Sequence, residues 1–219
     1  GAQNTAVGQG ALSTNTTASY NVAVGRAALN VNSTGASNTA VGTDALQQNS
    51  TGNYNTAVGH DALDANTTGD RNTAVGQNAL TSCNTNSGNT AIGYEAMKLN
   101  TANSNTAIGA YAMDANTTGG DNCALGSQSL GANTTGASNS AFGVSALYAN
   151  TTASYNSAFG AGSLAANTTG ARNTAVGYAA LNDNTTASYN TAVGDNALAV
   201  NTTGASNTSV GQQSLDANT

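Results

Sequence analysis

The sequence predicts an all-β protein, a parallel β-solenoid (β-roll) in which each 17-residue repeat forms one coil. The first observation is that the segment Asn4–Gly8, NTAVG, returns in close copies along all 219 residues. The second is its interval: there are thirteen copies, and eleven of the twelve steps between their closing glycines are 17 residues. The third is composition, because no Pro or Trp and only two Phe leave few large side chains for a compact globule. We therefore expect about thirteen stacked coils.

The repeat has a consensus in which each place carries its own residue type. Counted from the leading Asn, so that Asn4 is place 1 and Tyr20 is place 17, the consensus is NTAVGxxALxxNTT(G/A)xx. Place 4 holds Val, Ile, Leu or Phe, and place 9 holds Leu or Met. These are the large apolar places, so we expect both to form the core of the coil.

Short strands fit this repeat better than helices do. Gly, Asn and Thr in every repeat are poor helix formers, and strands bounded by Gly and Asn are predicted near places 2–4, 7–9 and 12–14. Gly at place 5 is expected at positive φ, and Asn at places 1 and 12 is expected to tolerate the left-handed region. Coils stacked about 4.8 Å apart would place like residues above each other, so the recurring Asn should form amide ladders.

Two repeats depart from the regular spacing. Residues 81–88 carry the Asn-Thr pair one place late, and residues 98–104 are one residue short. Both changes fall in the turn region, where insertions are tolerated, so we expect local turn irregularities there. Residues 1–219 are therefore predicted to form a single array, an excerpt from a longer one, because the chain opens and stops within a repeat.

Charge and hydropathy bear on the partners of the chain. Charged residues make up 6% of the sequence and the net charge is −6, with four basic residues scattered along the chain. Nucleic acids and anionic membranes bind clustered basic groups, so neither is an expected partner. No apolar run approaches the length of a membrane span, so we expect no membrane insertion.

Assembly with further copies of the chain is expected from the small core. One Val and one Leu per coil bury little surface against the conformational entropy that folding removes. Additional burial between chains is therefore predicted, giving a homo-oligomer through a trimer or through lateral or end-to-end association. Alanine at places 3 and 8 allows close approach of two backbones, so we expect one alanine column to line a subunit interface.

The residues able to do chemistry are few and scattered. Cys83 and Cys123 lie about three repeats apart, too far for a disulfide, and are expected as free thiols. His60 is the single histidine and is expected in an exposed turn beside Asp61. Because no His, Cys or carboxylate cluster recurs with catalytic or ligating spacing, we predict no enzyme activity, no metal site and no cofactor.

Two polar columns are the candidate contact surfaces. Place 17 carries four tyrosines that could either face solvent and touch a partner or sugar, or pack against the adjoining turn: Tyr20, Tyr54, Tyr155 and Tyr189. Threonine at places 2, 13 and 14 repeats at the coil spacing, and flat threonine arrays can order water. A ligand-binding solenoid is thus the alternative function, either lectin-like through the tyrosines or ice-binding through the threonines.

The repeat resembles two families of surface fibres. The pattern NTAVGxxA is similar to the SVAIGxxS repeat in the heads of trimeric autotransporter adhesins, with these residues on the motif in the first copy: Asn4, Thr5, Ala6, Val7, Gly8 and Ala11. This resemblance implies a left-handed parallel β-roll of three chains that binds matrix or cell surfaces. The period here is longer, and the extra residues fall in the Asn-Thr-Thr-Gly turn.

The full repeat resembles arrays in phage tail fibres and related bacterial surface proteins. Both resemblances imply a structural or adhesive segment of an extracellular fibre, the shaft or head of an adhesin or tail fibre, at the cell or virion surface. The implied partners are further copies of the chain and a cell-surface glycan or host receptor.

Overall fold

A computed structural model describes residues 1–218 as an all-β parallel solenoid, which confirms the predicted fold class. The described part contains no helix, and therefore none that could cross a membrane. It contains thirteen strands of three residues each, all at places 2–4 of their repeats. Their bounds are β1 Thr5–Val7, β2 Val22–Val24, β3 Thr39–Val41, β4 Thr56–Val58, β5 Thr73–Val75, β6 Thr90–Ile92, β7 Thr106–Ile108, β8 Cys123–Leu125, β9 Ser140–Phe142, β10 Ser157–Phe159, β11 Thr174–Val176, β12 Thr191–Val193 and β13 Thr208–Val210.

The chain divides into two compact units. The first, Gly1–Asn105, contains β1–β6, and the second begins at Thr106 and contains β7–β13. Within each unit every strand pairs in parallel with the next strand along the chain, and equivalent places are in register, as in Thr39↔Thr56 and Thr174↔Thr191. One coil per repeat is thus confirmed within each unit, whereas the single array over residues 1–219 stays a prediction.

Backbone hydrogen bonds join neighbouring coils around their whole perimeter, although only places 2–4 are strand. The N–H of Leu46 at place 9 donates to the carbonyl of Ala62 in the next coil at 2.9 Å. The N–H of Asp44 at place 7 donates in the other direction, to Arg26 at 2.9 Å. The strands expected at places 7–9 and 12–14 are wrong, because places 7 and 9 have positive φ and the chain turns there instead of extending.

The interior of each coil is formed by places 3, 8 and 9. In coils two to twelve the alanine at place 3 and the Leu or Met at place 9 are fully buried. Place 8, which is Ala or Ser, is equally buried. The expectation that place 4 belongs to the core is therefore wrong. Alternate strand residues point to opposite faces, so an inward Ala at place 3 turns its neighbours at places 2 and 4 outward.

The burial of alanine also corrects the expected subunit interface. Ala57 and Ala62 in the fourth coil have no accessible surface, and the same is true of their equivalents in neighbouring coils. Small side chains at places 3 and 8 let opposite walls of one coil approach each other. They fill the narrow interior of a single chain and cannot line a contact between chains.

Leucine at place 9 occupies an unusual backbone region. The φ of this residue lies between 49° and 58° in all thirteen coils, as for Leu63 at 54° and Met97 at 50°. The left-handed region costs an L-residue about 1–2 kcal/mol, and full burial of a Leu side chain contributes roughly 1.5–3 kcal/mol. Burial thus offsets the strain, and both Leu and Met avoid the additional crowding of a β-branched Cβ in this region.

Glycine at place 5 is required by a close approach between coils. Gly59 has φ 138°, and a Cβ added to it would lie 2.5 Å from the carbonyl oxygen of Gly76 in the next coil. The positive φ predicted for place 5 is confirmed. The left-handed conformation predicted for Asn at places 1 and 12 is wrong, because places 7, 9 and 17 adopt it instead.

Two ladders of buried asparagine run beside the apolar interior, as predicted. At place 1, the Asn38 side-chain oxygen accepts the backbone N–H of Asn55 at 2.8 Å, while its amide donates to the Gly52 carbonyl at 2.8 Å. At place 12, the Asn49 amide donates to the Asn32 side-chain oxygen and to the same Gly52 carbonyl, at 2.8 and 2.9 Å. The Gly52 carbonyl at place 15 therefore receives two amides, whereas in the fifth coil the place-15 carbonyl of Asn86 receives the Asn72 amide and the Cys83 thiol.

The fifth and sixth repeats modify this pattern differently. Cys83 occupies place 12 of the fifth coil, and its N–H bonds the Leu80 carbonyl as Asn does in other coils. Residues 81–88 therefore follow the same sequence of turns as their neighbours. In the sixth coil the turn is shorter, and the Ala102 carbonyl accepts both the Asn89 and the Asn100 amides, at 2.9 and 3.0 Å.

Candidate surface-contact sites

The four predicted tyrosines lie on the outer surface, in a column formed by place 17. The exposed fraction of Tyr20, Tyr54, Tyr155 and Tyr189 is between 56% and 62%. Their φ values lie between 59° and 64°, and the other residues at this place share that conformation. The backbone at place 17 therefore projects each side chain away from the coil, whatever its chemistry.

In the second compact unit, the structure brings Tyr155 and Tyr189 together through an arginine between them. The Arg172 guanidinium lies 5.3 Å from the centroid of the Tyr155 ring and 5.6 Å from that of Tyr189. One of its nitrogens, Nη1, donates to the Tyr189 hydroxyl at 3.0 Å. Cation–π contacts of this kind hold three exposed side chains in one stack.

In the first unit the corresponding cluster is smaller. Arg71 lies 5.7 Å from the centroid of the Tyr54 ring. Tyr20 and Tyr54 are separated by a coil that carries Ser37 at place 17. The sequence places Arg71 and Arg172 in the same column as the tyrosines, but it gave no sign that each guanidinium contacts a ring in the adjacent coil.

The place-4 column is an apolar surface that sequence reasoning assigned to the core. Its side chains point outward in both units, and five of them are 36–43% exposed: Ile92, Leu125, Phe159, Val176 and Val193. In the second unit the rings of Phe142 and Phe159 stack with centroids 4.8 Å apart and an interplanar angle of 9°. Contiguous exposed apolar surface of this kind indicates an interaction site.

His60 lies in an exposed turn, as expected, and next to two carboxylates. Its Nδ1 is 2.9 Å from an Asp61 carboxylate oxygen, and ligand atoms of Asp44, His60 and Asp61 lie within 4.8 Å of one another. Asp44 is already paired with Arg26, and its other oxygen accepts the Gln47 amide at 2.7 Å. A cation would compete with Arg26 here, so the geometry adds little support for a metal site.

The pKa of Asp64, four residues after His60 in the same coil, is raised. Burial is the main cause, and the negative charge of Asp61 adds to it. The carboxylate oxygen Oδ1 of Asp64 has no hydrogen-bond partner. This group is therefore destabilised when ionised.

Both cysteines are free thiols, as predicted. Burial raises the pKa of Cys83 to about 11 and also raises that of Cys123, which is half-buried. A thiol with a raised pKa is a poor nucleophile and a poor metal ligand at neutral pH.

The fold and its repeated columns define the class of this chain as a parallel β-solenoid repeat protein. No known protein-family model matches the sequence, and no curated protein matches it either. The columns of like side chains are therefore the features that can indicate what this chain does.

Proposed function

We propose that this chain is a segment of an extracellular fibre, the shaft or head of an adhesin or a phage tail fibre, which assembles from copies of itself. The observation that carries the proposal is the place-4 column of outward apolar side chains, present in every coil of both units. A long apolar stripe whose side chains are half-buried or exposed is unusual in a monomer.

The period of the column favours a second copy of the same chain as its partner. Side chains at place 4 repeat at the coil spacing of about 4.8 Å. A surface that matches this spacing over many coils must have the same repeat, as another copy does. The resemblance to adhesin heads supports three chains with left-handed coils, at the surface of a cell or virion.

The adhesive role is supported by the place-17 column on another part of the coil surface. Its tyrosines are exposed, and place 17 precedes the Asn at place 1 whereas place 4 follows it, so we expect the tyrosines to stay accessible when the place-4 column packs between chains. The fibre would then contact a cell-surface glycan or host receptor along its length or at a distal tip.

Molar mass in solution tests the assembly. Light scattering should give a multiple of the 21.3 kDa chain mass. The double variant V41K/V58K, which places two charges in the place-4 column, should shift the mass to that of one chain because buried unpaired charges are costly. The matched control is T51K/T68K, with lysines at exposed place 14 of the same coils, which should keep the assembly. A parent chain that is monomeric at all concentrations would contradict the proposal.

A lectin-like role is the second candidate, favoured by the Tyr155–Arg172–Tyr189 stack. Aromatic faces and guanidinium donors together suit the apolar and hydroxyl faces of a sugar. The variant Y155A/Y189A should abolish glycan-array binding if this stack is the contact. Unchanged binding would exclude it.

Ice binding has one observation in its favour, the threonine at place 14. This side chain is exposed in five consecutive coils of the first unit and six of the second: Thr17, Thr34, Thr51, Thr68, Thr85, Thr118, Thr135, Thr152, Thr169, Thr186 and Thr203. At place 13 the hydroxyl is used within the protein, as where Thr134 donates to the Thr151 carbonyl at 2.9 Å. Thermal hysteresis of the parent chain, lost in T135Y/T152Y, would support this role.

A further inference from the structure

A cavity of about 230 Å³ opens on the turn side of the second compact unit. It lies away from both the place-4 and the place-17 columns, on the side formed by places 7, 10 and 11. Its lining consists of Tyr111, Asp114, Ala115, Gln128, Gly131, Ala132 and Tyr148. We name this cavity the Gly131 notch.

The ladder of the solenoid stacks three of these residues in one column. Asp114, Gly131 and Tyr148 all occupy place 10 in successive coils. The N–H of Ala115 donates to the Gly131 carbonyl at 3.3 Å, and that of Ala132 donates to the Tyr148 carbonyl at 3.0 Å. The walls of the notch therefore stand on backbone that neighbouring coils hold in place.

The floor of the notch exists because place 10 of this coil is glycine. Gly131 is the only glycine at place 10 among the thirteen repeats, and other repeats carry residues such as Asn30 and Asn182 there. Its φ lies outside the left-handed region, so backbone conformation does not require glycine. An added Cβ would lie 3.2 Å from the Tyr148 ring. The Tyr148 ring therefore packs directly over the Gly131 backbone, and a side chain at this place would push the ring away.

The sides of the notch are aromatic and polar. Tyr111 and Tyr148 are 39% and 45% exposed, so part of each ring faces solvent. Gln128 is held by its backbone N–H, which donates to the Ala110 carbonyl at 3.0 Å. The lining thus combines two ring faces with one carboxylate and one amide, and it contains no cationic side chain.

We propose that the Gly131 notch binds one pyranose ring of a neutral glycan. Tyrosine rings pack against the C–H faces of a sugar, and carboxylate and amide groups pair with its hydroxyls. Asp114 disfavours sialic acids, uronic acids and phosphorylated sugars through like-charge repulsion. The volume is below the range of about 300–1,000 Å³ typical for drug-sized ligands, which suits a single ring.

Titration with methyl glycosides of neutral hexoses and N-acetylhexosamines, followed by ligand-observed NMR, tests this assignment on the full chain. A single ring bound by few groups should have a Kd of about 1 mM. The G131N variant places a side chain where the Tyr148 ring now packs and so displaces one wall of the notch; the second and eleventh coils carry Asn at the same place, so the backbone of the coil should be kept. We expect its Kd to rise at least about tenfold, and an unchanged melting temperature shows that the coil is intact.

Two further variants locate the binding. Y148A should weaken binding by a similar factor, whereas Y178A should not, because Tyr178 is an exposed tyrosine at place 6 of another coil. Y155A separates the notch from the place-17 stack and should also leave binding unchanged. Three results would overturn the proposal: no glycoside binding, binding unaffected by G131N, or a preference for a quaternary ammonium ion such as choline over every sugar. None of them bears on the assembly, which the molar mass tests separately.

Discussion

The place-12 asparagine ladder is continuous in the second compact unit and broken in the first. In the second unit each amide donates to the side-chain oxygen one coil earlier, as in Asn133→Asn116, Asn150→Asn133 and Asn167→Asn150, at 2.7–3.1 Å. In the first unit the same series of hydrogen bonds ends at Asn66, because Cys83 occupies the place of the next asparagine.

The break leaves an unsatisfied polar atom in the interior. Among residues 1–218, two buried side-chain oxygens have no hydrogen-bond partner, and one of them is Asn66 Oδ1. Cys83 Sγ instead makes a weak contact of 3.5 Å with the Asn86 carbonyl. The comparison shows that each rung of the ladder depends on the next, so that one substitution affects two coils.

Breaking the continuous ladder should have the largest effect. Asn150→Ala removes two donated bonds, to Asn133 and the Ala153 carbonyl, and leaves Asn133 Oδ1 buried without a donor. We expect the free energy of unfolding to fall by about 3–4 kcal/mol, measured by urea denaturation. The control is Asn182→Ala, since its amide bonds Gly162 in a part-buried position, and its cost should be about 1 kcal/mol. Equal losses in the free energy of unfolding for the two variants would show that the ladder contributes no more than an isolated side-chain hydrogen bond.

Alkaline pH should destabilise the broken ladder through the Cys83 thiol. The unfolded chain loses this proton near pKa 9.0, whereas the folded chain keeps it until about 11. Since the folded state binds more protons between these values, stability is complete below pH 9 and falls as the pH rises, by about 2–3 kcal/mol. Urea denaturation at pH 8 and pH 11 measures the loss, and C83S should lack this component. An identical pH profile for both chains would refute the assignment.

Repairing the broken ladder should change the free energy of unfolding by less than either of the two preceding effects. Cys83→Asn restores the amide that Asn66 Oδ1 lacks, and its own oxygen is placed like those of other coils. We expect a gain of about 1–2 kcal/mol in the free energy of unfolding. A double-mutant cycle sharpens the test, because Asn66→Ala should cost about 1 kcal/mol more in the C83N chain than in the parent. Additive effects would mean that no bond formed between the two positions.

The smallest effect is expected at Asp64, whose Oδ1 is the other unpartnered oxygen. Its raised pKa, caused chiefly by burial, means that the folded state favours the protonated carboxyl. Asp64→Asn removes the unfavourable charge, so the melting temperature at pH 7 should rise by about 1–2 °C, since solvent screening limits the gain. The gain should disappear well below pH 3.8, where Asp64 is protonated in both states. A gain that persists in acid would point to packing instead of charge.

The sequence predicted the features that follow from period alone. The coil per repeat, the positive φ at place 5 and the Asn ladders all result from stacking like residues in register, and the register is visible as a repeat. The direction of Val24 and its equivalents was predicted wrongly, because hydrophobicity alone suggested the core while strand alternation places them outside. Ala23, beside it, gave no hydrophobic signal strong enough to mark the interior.

The candidate sites likewise combine features that are visible in the repeat with contacts between side chains of neighbouring coils, which are not. The tyrosines of place 17 were selected from their recurrence and are exposed, while their role as a contact surface stays a prediction. Arg172 between Tyr155 and Tyr189, and the notch at Gly131, depend on which side chains meet across coils. A single glycine at a variable place carries no signal until its neighbours in adjacent coils are known.

By itself, the sequence determined the solenoid and the stacking of each place, because a fixed period in a chain poor in large apolar residues leaves few ways to satisfy every backbone group. Only the tertiary structure decided which side chains of each coil face inward. It also decided that Cys83 leaves the Asn66 side-chain oxygen without a hydrogen-bond donor. The physical reason is that alternate strand residues point to opposite faces, so that only one of the apolar neighbours at places 3 and 4 can face inward, and close packing against Leu favours the smaller one. Alanine therefore takes the inner side, and the larger side chain is left on the surface.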